Sequence, residues 1–214
     1  MSTIISVIGA GTMGSGIAQV AGTHGCQVNI IDSFPEALEN SQSKLKYILN
    51  RLVEKGKINK EQFKSILARI HWTANMDEIS NSNMVIEAIV ENLEIKQNLF
   101  SEMESLVSDI CILATNTSSL SVSKIASVCK LKSRIMGIHF FNPVPLMKLV
   151  EIIPTKEANE KLLLEVKVIL KGWGKSVVTA KDTPGFIVNR VARPYYSEAL
   201  RIYEEGIADF ATID

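Results

Sequence analysis

Six residues near the start of the chain restrict its fold more than any others: Gly9-Ala10-Gly11-Thr12-Met13-Gly14, a G-x-G-x-x-G turn. Alone, such a turn can simply join two elements. Here the apolar run Ile4–Ile8 precedes it and reads as a buried strand, and the small-residue segment Met13–Thr23 follows it and reads as a helix. A second strand, Gln27–Ile31, ends at Asp32. Strand, glycine turn, helix and an acid at the end of the next strand form a dinucleotide-binding unit. Gly9 permits the tight turn, Gly11 lets a pyrophosphate approach the backbone, and Gly14 lets helix and strand pack closely. The cradle Gly9, Ala10, Gly11, Thr12, Met13 and Gly14 offers free N–H groups and the positive end of a helix dipole. Asp32 is expected to accept from a ribose 2′-hydroxyl, and its charge would repel a 2′-phosphate, which selects NAD over NADP.

After Asp32 the pattern becomes helical. Ser33 is expected to cap a helix with Pro35 and Glu36 in its first turn. Leu38, Leu45, Ile48, Leu49, Leu52 and Val53 recur at helical spacing out to about Glu54. A Lys55-Gly56-Lys57 turn leads to a second helix, capped by Asn59 with Gln62 as capping-box partner and with Phe63, Ile66, Leu67 and Ile70 as its apolar side. Alternation then resumes. Met84–Ala88, Cys111–Ala114, Arg134–Ile138, Leu149–Ile153 and Ser176–Thr179 read as strands. Leu93–Val107, Val122–Val128 and Asn159–Trp173 read as helices, the last stopped by Gly172 and Gly174. The expected fold is α/β: a Rossmann-like, doubly wound, mostly parallel sheet with an inserted helical hairpin.

Past Lys181 the character changes. Thr183 and Pro184 are expected to open a long helix running to about Glu205, stopped by Gly206 and bent at Pro194. Phe186, Ile187, Val191, Tyr195, Leu200, Ile202 and Tyr203 lie on several sides of it, so it needs partners on more than one face. The expected division is a dinucleotide-binding domain over residues 1–181 and the start of a helical domain over 182–214.

Hydrophobic residues make up 46% of the chain, enough for a substantial core, and 23 basic residues balance 23 acidic ones. That balance speaks against a nucleic-acid partner. No apolar run is long enough to span a bilayer, and with a first strand at about Ile4 no leader is expected. Cys26, Cys111 and Cys129 are odd in number, widely spaced and never in a CxxC, which fits reduced cytosolic thiols rather than disulfides or a metal site. Charge is uneven locally. Between Lys44 and Lys64 there are seven basic residues and two acidic ones, a local +5. Such a patch can hold a polyphosphate, or it can be an ordinary solvated helical surface; both readings stay open.

The chemistry concentrates in Gly137-Ile138-His139-Phe140-Phe141-Asn142-Pro143. His139 is one of three histidines, set in apolar surroundings, with Glu151 twelve residues on. An imidazole held by a carboxylate is a general base that works near neutral pH. Beside a dinucleotide site it points to hydride transfer. His24 and His71 have no such context and read as surface or packing residues.

Several segments stand in order: Gly9–Gly14, Val85-Ile86-Glu87-Ala88-Ile89-Val90-Glu91-Asn92, Asn116-Thr117-Ser118-Ser119-Leu120, His139–Pro143, Lys148–Glu151 and Asp182-Thr183-Pro184-Gly185-Phe186-Ile187-Val188-Asn189-Arg190. Together they resemble the 3-hydroxyacyl-CoA dehydrogenase family in its bacterial 3-hydroxybutyryl-CoA form. The resemblance implies a reversible, NAD-dependent oxidation of an (S)-3-hydroxyacyl-CoA to the 3-ketoacyl-CoA. It makes His139 the base and Glu151 its orienting partner. It places Ser118 on the reacting oxygen or the cofactor, and Asn189 at the substrate carbonyl region. Glu91, Lys96 and Asn142 would line the ribose and nicotinamide part of the NAD site, and Lys55 would touch CoA. A neighbouring family serine is replaced here by Ile48.

The family continues into an all-helical domain that supplies much of the acyl pocket and the dimer interface, of which residues 182–214 would be the start. The exposed face of the long helix is therefore expected to drive a homodimer built on Phe186–Tyr203. Two alternatives accompany the enzyme reading. One is a shortened, weakly active or inactive relative that still binds NAD and CoA. The other is an oxidoreductase acting on a small hydroxy acid, against which the His-Phe-Phe-Asn-Pro segment and the basic hairpin both argue. Fatty-acid degradation and butyrate or polyhydroxybutyrate metabolism use the same chemistry, so the pathway stays open.

Overall fold

The computed structural model describes residues 3–214. Its core is an eight-stranded sheet: β1 (Ile4–Ile8), β2 (Gln27–Ile31), β3 (Ile70–Thr73), β4 (Met84–Glu87), β5 (Ile112–Thr115), β6 (Ile135–Phe140), β7 (Leu149–Pro154) and β8 (Ser176–Thr179). The spatial order is β3-β2-β1-β4-β5-β6-β7-β8. Neighbours run parallel except β6 and β7, which are antiparallel. The order turns back between β1 and β4, and a doubly wound sheet opens a crevice at such a point, beyond the carboxyl ends of its strands.

The central strands are apolar on both faces because helices cover both. On one side Ile5, Val7, Met84, Ile86 and Ala114 pack with α1 (Thr12–Thr23), α2 (Pro35–Glu54), α3 (Lys60–Ala68) and α6 (Glu160–Gly172) through Ile17, Leu45, Ile66 and Leu170. On the other, Ile8, Val85 and Leu113 pack with α4 (Leu93–Leu106) and α5 (Val122–Ala126) through Phe100, Met103 and Ile125. Odd and even positions of β4 thus feed separate cores, as the two-residue period of a strand requires.

The α2–α3 hairpin forms as its sequence suggests. Gly56 turns with φ +63°, and Asn59 and Gln62 make a reciprocal capping box. Three expectations fail. Ser33 does not cap α2: the cap residue is Phe34, without a side-chain bond, and Asp32 accepts the Phe34 N–H at 3.0 Å instead. Ile70 is not on α3. That helix stops at Ala68, and Ile70–Thr73 becomes edge strand β3 on β2, with Ile70 against Gly22 of α1. Its apolar side chain keeps the helical spacing of Phe63 and Ile66, which conceals the change of element. The long helix α7 begins at Val188, not Thr183, because Gly185 and Phe186 adopt φ +75° and +48°, outside the helical region. It continues through Pro194 to Glu204 and ends at Gly206, φ +71°. No side chain of α7 is buried, and Val191, Tyr195, Tyr196 and Leu200 are all more than half exposed. A short helix α8 (Phe210–Ile213) follows.

The glycine turn is the tightest piece of the fold. A Cβ added at Gly14 would lie 1.8 Å from the Gly9 carbonyl oxygen, inside backbone that cannot yield. Gly14→Ala is therefore expected to lower unfolding free energy by about 2–4 kcal/mol through overpacking and backbone displacement. Urea unfolding followed by tryptophan fluorescence would read this, with Gly11→Ala as the control, since a Cβ at Gly11 meets nothing.

Candidate functional site

The antiparallel β6–β7 pair sets His139 directly opposite Glu151. His139 Nδ1 lies 2.7 Å from Glu151 Oε2, with both side chains buried. The other oxygen, Oε1, accepts the backbone N–H groups of Ile187 and Val188 at 2.9 and 3.0 Å. Ile187 is the cap residue of α7 and offers no side-chain cap, so Glu151 caps that helix from another element. A carboxylate can only accept, so in the neutral imidazole Nδ1 carries the proton and Nε2 is the acceptor. The Phe141 ring lies 4.5 Å from the imidazole centroid, and the Phe186 ring meets it edge-on at 5.6 Å.

His139 opens onto a cleft of about 410 Å³. Ser118, Asn189, Asn142, Glu91 and Met13 line it too, so one crevice gathers residues that lie far apart in sequence. The Asn189 side-chain amide donates to the Ser118 carbonyl at 3.3 Å. Glu91 Oε1 accepts from the Thr117 hydroxyl at 2.5 Å and from the Ser118 and Ser119 N–H groups at 3.0 and 3.2 Å. Burial alone would raise the pKa of Glu91, but the Thr117 hydrogen bond, the Lys96 charge and the serine-loop donors prevail and hold it below the usual carboxylate value. Lys96 does not face the cleft. Its ammonium is buried behind the wall, 2.5 Å from Glu87 and 3.3 Å from Glu91, and the Thr115 hydroxyl completes Glu87 at 2.7 Å.

At the end of β2, Asp32 Oδ2 accepts the Ala10 N–H at 2.8 Å. Each of its oxygens keeps a free acceptor site. Gly9 turns with φ +106°, its added Cβ blocked by the Ala88 carbonyl at 2.6 Å. The N-terminus of α1 has no side-chain cap, and the space beside Gly11 is open. An anionic pyrophosphate laid on uncapped N–H groups, with a hydroxyl at Asp32, suits this donor set, so the residues fit NAD. A second cleft, about 520 Å³, extends from Ala10, Gly11 and Thr12 of the glycine turn past Gly16, Leu45 and Ile48 to Pro143–Leu146; it meets the first at Asn142, and Lys44 lines it. Lys55 is exposed at the end of α2 and lines neither cleft. Among the described residues no group of three His, Cys, Asp or Glu could hold a metal ion.

Two further contributors lie inside the quoted segments, but their roles depend on neighbours that only the fold supplies. Asn116 accepts the Phe140 N–H at 2.9 Å, fastening the loop after β5 to the end of β6. Asp182 accepts from the Ser121 hydroxyl and from the Val122 and Ser123 N–H groups at 2.8–3.0 Å, tying the turn before α7 to α5.

The fold and crevice define an α/β dinucleotide-binding protein with a histidine–carboxylate pair on β6 and β7. Residues 4–183 match the family described as 3-hydroxyacyl-CoA dehydrogenase, NAD binding domain, and residues 185–214 match its C-terminal domain. The chain belongs to the 3-hydroxyacyl-CoA dehydrogenase family. It is 42% identical over 210 residues to the 3-hydroxyadipyl-CoA dehydrogenase of Escherichia coli K12, covering 98% of this chain and 44% of that one. It is also 42% identical over 210 residues to a probable 3-hydroxybutyryl-CoA dehydrogenase of Bacillus subtilis, covering 98% and 73%. The crystal structure of the Ralstonia eutropha (S)-3-hydroxybutyryl-CoA dehydrogenase superposes with a TM-score of 0.96 at 36% identity, covering 100% of this chain and 76% of that one. The chain thus spans less than half of the first relative and about three quarters of the other two.

Asp182 yields a pH-dependent prediction. Burial opposes its charge, but the donors from Ser121, Val122 and Ser123 outweigh that and depress its pKa below 3.8. A depressed pKa stabilises the fold above the unfolded value, and the contribution disappears as pH falls through the folded value. Asp182→Asn should cost about 1–2 kcal/mol at pH 7. The gap to the wild type should narrow below about pH 4, read by urea unfolding across a pH series.

Proposed function

We propose that the chain carries the reaction centre of an NAD-dependent 3-hydroxyacyl-CoA dehydrogenase. The observation that carries this reading is the buried His139–Glu151 pair, which opens onto a cleft bordered by Met13 of the glycine turn. In this reading the 3-hydroxyl of an (S)-3-hydroxyacyl-CoA, such as 3-hydroxybutyryl-CoA, donates to Nε2. His139 takes that proton, and the Glu151 carboxylate stabilises the imidazolium that forms. In the reverse direction Nε2 returns it. Bound NAD supplies the acceptor for the hydride leaving C3. The Ser118 hydroxyl hydrogen-bonds the reacting oxygen, and the Asn189 amide meets the thioester carbonyl region. Glu91 and Asn142 border the nicotinamide end, while Gly9–Gly14 and Asp32 hold the pyrophosphate and ribose. Lys96 serves the cofactor site through Glu91.

The second cleft suits the CoA arm: its walls are apolar, it joins the His139 cleft at Asn142, and Lys44 leads from it to the basic hairpin. Lys55 would then meet CoA phosphates beyond it. The proposed division places the NAD domain at residues 1–181 and the helical domain from 182, and the exposed apolar side chains of α7 support a homodimer through that helix. Three buried, free thiols suit a reducing, cytoplasmic setting. No helix among the described residues is long and apolar enough to cross a membrane.

The test is NADH consumption with acetoacetyl-CoA. His139→Gln should lower kcat by about 10²–10⁴-fold. Glu151→Gln should lose a comparable factor, because its amide N–H₂ would face Nδ1 and leave the proton on Nε2. Wild-type turnover no higher than that of His139→Gln would favour the alternative, an NAD- and CoA-binding relative without activity. Charge reversal at Lys55 and Lys57 should raise KM for the acyl-CoA several-fold while leaving KM for NADH unchanged; an unaltered acyl-CoA value would remove the hairpin from the site.

A further inference from the structure

Outside the dyad, one buried cation of the described residues stands without a counter-ion. Lys175, just before β8, is 7% exposed, and no carboxylate among the described residues pairs with it. An ammonium removed from water without a counter-ion is costly unless other acceptors replace that water. Here Nζ donates to the carbonyl oxygens of Val144 at 2.5 Å and Met147 at 2.8 Å. Both belong to the turn after β6, where the Leu146 and Met147 N–H groups share the Pro143 carbonyl at 3.0 Å. Upstream, Phe141 and Asn142 line the His139 cleft; Pro143 to Leu146 wall the second cleft. Val144 presses on α1, where an added Cβ at Gly16 would sit 3.0 Å from Val144 Cβ. The turn therefore forms the partition between the two clefts, and Lys175 holds it from behind while lining neither.

We propose that Lys175 is a positioning residue for acyl-CoA binding: its ammonium draws the Pro143–Met147 turn onto α1 and fixes the wall on which the CoA arm lies. The proposal rests on the reading of the second cleft as the site of that arm. A lysine suits the task because three donors on one atom can satisfy carbonyls from two different peptide planes. A methionine of the same length would fill the space and satisfy neither.

The test compares equilibrium dissociation constants for acetoacetyl-CoA and for NADH, by calorimetry, in the wild type, Lys175→Met and Lys175→Arg. Lys175→Gln serves as a milder companion, polar but too short to span both carbonyls. The expected result is acetoacetyl-CoA binding weakened about tenfold in the Met and Gln variants, restored to within about twofold in the Arg variant, with NADH binding unchanged throughout. Amide exchange at Leu146 and Met147 should accelerate in the Met and Gln variants only. Equal acyl-CoA binding in all four proteins, parallel weakening of NADH, or an Arg variant as weak as Met would overturn the proposal. Turnover of the wild type is measured alongside. Its absence sinks the dehydrogenase reading, whereas the binding comparison decides Lys175 by itself.

Discussion

One buried carboxylate joins the three elements on which the site depends. Glu151 takes its place on β7, aligns His139 on β6 and caps α7, with all three donors converging on its two oxygens. A carboxylate in apolar surroundings is tolerated only when donors replace its water. Here they are an imidazole N–H and two peptide N–H groups at the positive end of a helix. The arrangement also accounts for the turn before α7. To bring the Ile187 and Val188 N–H groups onto Oε1, the chain must reverse at Gly185 and Phe186, and Phe186 takes a left-handed conformation that costs about 1–3 kcal/mol. Its ring is buried beside His139 and against Val122, Ile153 and Ala180, which offsets that strain.

The crevice is assembled the same way, from charges that satisfy loops rather than from the loops themselves. β1, β4, β5 and β6 all deliver their carboxyl ends to one place. What fixes the loop after β5 is Glu91, whose oxygen collects Thr117, Ser118 and Ser119, while the Lys96 ammonium, itself paired with Glu87, offsets its charge from behind. Asn116 then ties that loop to the end of β6. Ser118 is positioned relative to His139 by this chain of contacts, although one residue lies in the loop after β5 and the other on β6.

Local signals made much of this legible. The glycine turn, the Asn59–Gln62 capping box and the glycine stops each act within a few residues, and each formed where its chemistry required. What stayed hidden was contact between distant segments. Ile70 kept helical spacing with Phe63 and Ile66, so only pairing with β2 reveals that it is a strand. Ser33 is an apt cap by type, but Asp32 reached the helix end first. Thr183 and Pro184 look like a helix start, and nothing local reveals that Glu151, more than thirty residues earlier, supplies the cap at Val188. Lys96 resembles a ligand contact in sequence; its burial behind Glu91 depends on the packing of α4 against the sheet.

The dyad and the helix cannot be treated as separate devices. The Ile187 and Val188 N–H groups are the only backbone donors of α7 engaged by the carboxylate, and no side chain of that helix is buried. The orientation of α7 and the proton location on His139 therefore share one acceptor. A contact that steadies the helix also steadies Oε1, and a change in charge on the imidazole alters what holds the helix. Such coupling is reciprocal by necessity, and here it runs through a single residue. Asn189 sits in the first turn of the same helix and lines the cleft, so its position and the helix cap at Glu151 are linked through α7.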